Sequence, residues 1–180
     1  MLFLTALFLF AAAGCTVDQA PEEKLENPFF DLRTYFNQQV ERLQETQPPV
    51  EKTVSFESDT LKTQLDSLDY GRELEVFLNA DINRAAWWDK YRIDSVEEAG
   101  QLRKIQYTAT DASLRVDTLS VFFQEEKVSR IEVQTSSEGF TADREQRLLY
   151  DPEQGYRIET KQDIAFSEPR EMMIEVEFLK

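Results

Sequence analysis

Asn79-Ala80-Asp81-Ile82-Asn83 sets side-chain oxygens at alternate positions, the spacing with which a calcium-binding loop begins. Such a loop then needs Gly at its sixth place and a bidentate Glu at its twelfth, where this chain has Arg84 and Lys90. A helix end with Asn in the following turn accounts for the segment better. Trp87-Trp88 offers flat rings on which a sugar or other planar ligand could stack. In a strand the two would face opposite sides, Trp87 joining the apolar face and Trp88 pointing outward beside Lys90 and Arg92. The outward ring reads either as an interaction anchor or as a side chain packed under a loop or strand edge. Carboxylate pairs occur at Glu97-Glu98 and Glu125-Glu126. Acid–base catalysis needs two carboxyls at a fixed separation in a cleft, in environments that push their pKa values apart. Neighbours in hairpin turns provide neither, so these read as solvated turn residues.

The composition narrows the chemistry further. The 180 residues include 20 Lys+Arg, 35 Asp+Glu, no His and one Cys, for a formal charge of −15. Without histidine there is no His triad and no His metal site. One cysteine makes neither an intrachain disulfide nor a Cys zinc site. No Gly-x-Ser-x-Gly elbow or Ser-x-x-Lys motif supports a nucleophile, and no Gly-rich phosphate loop appears among five glycines. The acidic balance argues against nucleic acid, and the lack of a Lys/Arg run argues against a basic patch on anionic lipid. No cofactor is expected, and no catalysis.

The lone thiol has a different explanation. Leu2 to Ala13 carries no charge and ends in small residues. Its length suits the core of a signal peptide and falls short of the roughly 20 residues needed to span a bilayer. The segment Ala12-Ala13-Gly14-Cys15 resembles the lipobox of bacterial lipoproteins, although no Lys or Arg precedes the apolar run. The resemblance implies cleavage before Cys15, acylation of that cysteine and export to the cell envelope. Two or three acyl chains would then hold the protein stably to a membrane. Residues 16–27, "TVDQAPEEKLEN", read as a polar tether. The chain thus divides into a signal (1–14), a lipidated cysteine with its tether (15–27) and one globular domain (28–180). In Gram-negative lipoproteins an Asp directly after the lipidated cysteine favours the inner membrane. Thr16 stands there, so the resemblance points to the outer membrane, facing the periplasm or, with Asp18, Glu22 and Glu23, exposed at the surface. Asp followed by Ser or Thr and an aliphatic residue occurs at Thr60, Ser67, Ser95 and Thr118, which looks like an O-glycosylation signal of some envelope proteins. The same pairs are also ordinary turn and cap chemistry.

What positions these residues is a short helical part followed by strands. Asn27-Pro28 suits a helix start, and Phe29, Leu32, Phe36, Val40 and Leu43 form one apolar stripe ended by Pro48-Pro49. Val54 and Phe56, then Leu61, Thr63 and Leu65, predict a hairpin, and a second helix after Asp66-Ser67 directs Leu74, Phe77 and Leu78 inward. From Trp87 the period is two: Trp87, Tyr91 and Ile93; Ile105, Tyr107 and Ala109; Leu119, Val121 and Phe123; Ile131 and Val133; a weaker run to Tyr150; Tyr156, Ile158, Ile164 and Phe166; Met172, Ile174, Val176 and Phe178. Short connections join antiparallel neighbours, and "DPEQG" needs Gly155 at positive φ. The expected fold is α+β: a curved antiparallel meander of about seven strands with one face covered by two N-terminal helices.

That architecture resembles the LolA/LolB half-barrels that sort lipoproteins, which implies a lipid or lipoprotein carrier. A carrier needs an open apolar cavity of roughly several hundred Å³, whereas the helical stripe looks sufficient to fill the concave face. The leading expectation is therefore a non-catalytic binding or structural module, held to the membrane through Cys15 and presented to an envelope partner. The carrier comes second, and a carboxylate-based enzyme last.

Overall fold

Helix α1 (Leu32–Thr46) begins at Asp31, whose carboxylate accepts a hydrogen bond from the Thr34 N–H at 2.9 Å. The computed structural model describes residues 28–179; the lipobox, Cys15, the tether and Asn27 lie outside them. The helix start thus falls later than Asn27-Pro28. Phe29 and Phe30 are held instead by contacts far along the chain, their N–H groups donating to Asn83 Oδ1 at 3.3 Å and Tyr107 Oη at 2.9 Å. At the other end Gln47 adopts the left-handed conformation and its N–H reaches the Leu43 carbonyl at 2.9 Å. Pro48-Pro49 then prevents continuation.

Strands β1 (Val50–Phe56) and β2 (Asp59–Leu65) form the expected hairpin. The expected second helix is two single turns, α2 (Tyr70–Glu73) and α3 (Glu75–Leu78), parted at Leu74 with φ −92° and ψ 2°. It starts at Asp69, which accepts from the Arg72 N–H, rather than at Asp66-Ser67. Leu74 and Phe77 are fully buried as expected, while Leu78 is half-buried. A 3-10 turn (Ala85–Trp87) leads into β3 (Tyr91–Glu98), β4 (Gln101–Ala109), β5 (Val116–Gln124), β6 (Lys127–Ser137), β7 (Ala142–Asp151), β8 (Gly155–Ile164) and β9 (Arg170–Phe178).

These strands make one antiparallel sheet in the order β2-β1-β9-β8-β7-β6-β5-β4-β3. The sheet is open, with β2 and β3 at its edges. It has nine strands rather than seven. β3 to β9 are the meander that the alternation announces, and the first hairpin joins the same sheet where β1 pairs with β9, Val54 opposite Ile174. The helical part also differs from the expectation of two N-terminal helices: one is a full helix, and the two single turns follow the hairpin.

The core lies between the helical segments and one sheet face. Phe36 stacks on Phe77 with centroids 4.8 Å apart and meets the edge of Tyr150 at 5.0 Å. Phe29 packs against Tyr91 and Tyr107. Leu32, Leu43, Leu74 and Ile82 are fully buried, each removing apolar surface worth about 1.5–3 kcal/mol from water. Alternation misleads at its margins. Trp87 lies before β3, not in it; Ile93 shares a face with buried Tyr91 but sits exposed on an edge strand; Phe166 lies past β8 in a turn. Gly155 takes φ +133° as expected, and a Cβ there would stand 1.9 Å from the Val176 carbonyl oxygen.

Candidate functional site

The calcium-like segment turns out to be a clasp on the incoming chain. Asn83 Nδ2 donates to the Phe30 carbonyl at 2.9 Å and to Asp81 Oδ1 at 3.4 Å, while its Oδ1 accepts from Phe29. Asp81 is buried and its outer oxygen lies 3.6 Å from Arg33. The Asp81 and Asn83 side chains are therefore occupied in joining this segment to the start of α1, while Asn79 is exposed. Among the described residues no group of three or more Asp, Glu, His or Cys could hold a metal.

The tryptophans occupy the tight connection before β3. The Trp87 N–H bonds to the Arg84 carbonyl and the Lys90 N–H to the Trp87 carbonyl, so the chain is coiled there and the two rings do not take opposite sides of a strand. Arg84 lies 4.4 Å over the Trp87 ring. Trp88 is half-buried, and its indole N–H is enclosed without a hydrogen-bond partner. Beside them Lys90 pairs with Asp111 at 3.2 Å. Hydrogen bonds from the Ser113 hydroxyl and N–H, then that ammonium, hold the Asp111 carboxyl down to about 2.

The face of the sheet away from the helices is a charge ladder. Register sets Glu145 opposite Lys161, Arg147 opposite Glu159 and Arg157 opposite Glu175. A shallow cleft of about 410 Å³ runs over it, bordered by Glu145, Arg147, Glu159, Lys161 and Glu171. Opposite charges interspersed across adjoining strands suit a polar surface rather than a buried apolar ligand.

Under the helices the polar groups are bound to one another. Tyr156 donates to Glu73 at 2.7 Å and Lys52 meets the same carboxylate at 2.6 Å. Tyr91 donates to the Val116 carbonyl and Tyr150 to Gln39. Burial pushes the phenols of Tyr91 and Tyr150 up to about 12, and Tyr156 higher still. These phenols are neutral donors that tie elements together.

Both carboxylate pairs are solvated as expected, but only Glu125-Glu126 lies in a turn. Glu97 and Glu98 are exposed at the end of edge strand β3, and Glu125 and Glu126 take positive φ in the β5–β6 turn. Thr60, Ser67 and Ser95 are exposed, Thr60 in β2, Ser67 in a loop and Ser95 in β3, whereas Thr118 is half-buried in the middle of β5, opposite Thr108. Asn83 as a clasp was not foreseen; its only sequence signal is an Asn two residues after Asp81.

Site and fold together describe a largely antiparallel β-domain with few helices, a filled core and a polar outer face. Compared with protein-family models, curated proteins and solved structures, the chain matches none.

Proposed function

We propose that the chain is an envelope lipoprotein, held to a membrane through acylated Cys15, whose domain is a non-catalytic binding module presenting a polar sheet face to a protein partner. The anchor rests on Ala12-Ala13-Gly14-Cys15 and the apolar run before it. Thr16 after the cysteine favours the outer membrane. The observation that carries the module is the packing of α1 and the segment leading into it: Phe29, Leu32, Phe36 and Leu43 are all buried, and Phe36 fills the space between Phe77 and Tyr150. Side chains that fill the helix–sheet space leave little room for a lipid chain there. The outer face, with its charge ladder over β7 to β9, is the surface suited to a partner.

Titration of the chain from Thr16 to Lys180 with a fluorescent fatty acid tests this reading. No saturable binding at micromolar concentration is expected. Saturable binding would favour the alternative, a lipid or lipoprotein carrier of LolA/LolB type, whose likeness to this chain is one of architecture.

A further inference from the structure

Phe140 and Phe166 are the two most exposed large apolar side chains among the described residues, 102% and 109% exposed. They stand on neighbouring hairpin tips. Phe140 lies in the β6–β7 turn and Phe166 in the β8–β9 turn, and the Ala165 N–H donates to the Thr141 carbonyl at 3.0 Å, tying the two tips together. A cleft of about 260 Å³ opens between them. Phe166 also takes φ +64°, a left-handed conformation that a bulky residue adopts at a cost and Gly or Asn adopts freely. The fold thus holds an aromatic residue where a turn prefers a small one, and buries none of its ring. Phe56, 45% exposed, ends β1 on the same side of the sheet, opposite Met172 near the start of β9.

We infer that the tips bearing Phe140 and Phe166 insert into the surface of the bilayer that holds the Cys15 acyl chains, fixing the domain's orientation on it. The inference rests on the anchoring reading above. Phe29, close to where the tether joins the domain, packs against Tyr91. Tyr91 is the first residue of β3 and pairs with Ala109, the last of β4, so the chain enters at the end of the sheet that carries the tips. From β3 to β9, the farther strand of the Phe166 tip, is six strand steps, about 29 Å at ~4.8 Å each. Residues 15–27 reach about 43–47 Å when extended, enough for Cys15 and both tips to meet one surface together. A second copy docking tip to tip would bring Glu138 and Glu168, which flank the two rings, against their own counterparts in a molecule of charge −15. Those carboxylates also limit the depth of the rings to the headgroup boundary, and they favour zwitterionic over anionic lipid.

The chain lacks histidine and has no cysteine besides Cys15, so residues 16–180 can be held by an N-terminal hexahistidine tag on phosphatidylcholine vesicles containing a little nickel-chelating lipid. A fluorophore at Ser167→Cys then reports the tip, and one at Glu125→Cys reports the opposite end. The tip label is expected to shift to the blue and be quenched by brominated lipid, with the Glu125 label unchanged. Adding phosphatidylglycerol is expected to reduce the tip response. Phe140→Ser with Phe166→Ser is expected to abolish it without altering the circular dichroism. A tip label that stays aqueous, or that responds equally in the double variant, overturns the inference. Because the tag replaces the acyl chains, the vesicle result does not depend on acylation. Palmitate incorporation at Cys15 in cells reads the anchoring proposal separately.

Discussion

The Tyr156 phenol stands 2.7 Å from the Glu73 carboxylate, which also holds the Lys52 ammonium at 2.6 Å, so one side chain of α2 ties two strands of the sheet. Its surroundings are mostly shielded from water, the Lys52 and Glu73 side chains each being 20% exposed. Removing the carboxylate strands a phenol and an ammonium at once. Glu73→Ala is expected to lower unfolding free energy by about 1–3 kcal/mol, measured by chemical denaturation. Lys52→Met, which removes one charge and leaves Tyr156 its acceptor, is expected to cost less.

Phe36 is the centre of the helix–sheet packing, touching Phe77, Tyr150 and Tyr35. Phe36→Ala is expected to cost about 3–5 kcal/mol, read as a lowered denaturation midpoint with unchanged slope. The same variant opens space between α1 and the sheet. Fatty-acid binding that appears only in it would show that the native filling is what excludes lipid.

Phe166→Gly gives stability and docking opposite signs. Relief of the left-handed strain is expected to raise stability by about 1 kcal/mol, while the vesicle response of the tip falls. A gain in both would mean that the aromatic ring at this position serves nothing outside the fold.

Asp111 ties the β4–β5 loop to Lys90, and its carboxyl is held down to about 2. A depressed carboxyl stabilises the fold fully above its unfolded value of about 3.9, and that contribution is lost as pH falls through about 2. Asp111→Asn is therefore expected to reduce stability at pH 7 and to flatten its decline between roughly pH 4 and 2, measured as melting temperature against pH.

Much of the sheet was legible because alternation is a local signal. Tyr107, Leu119, Val121, Ile131, Val133, Tyr150 and Tyr156 all face the core as their spacing requires. What the sequence could not express was non-local. The pairing of β1 with β9 joins residues more than a hundred positions apart, and the delayed start of α1 follows from bonds to Asn83 and Tyr107. Trp87 keeps a period of two with Tyr91 and Ile93 in sequence, but the chain before β3 is coiled, so the spacing has no strand meaning there. Phe166 likewise continues the alternation of β8 in sequence but lies in the turn beyond it. A Phe among Gly, Ser, Glu and Pro, as in "SSEGFT" and "AFSEP", is the signal by which both tips could have been found.

The central claim is that lipid on one sulfur, that of Cys15, anchors the molecule to its membrane. Intact-mass measurement of the chain recovered from cell envelopes tests it most directly. The account predicts a product beginning at Cys15 and heavier than its residues by a diacylglycerol thioether, with Cys15→Ser retaining residues 1–14 and no added mass. A chain that keeps those residues with a free thiol at Cys15 would contradict it.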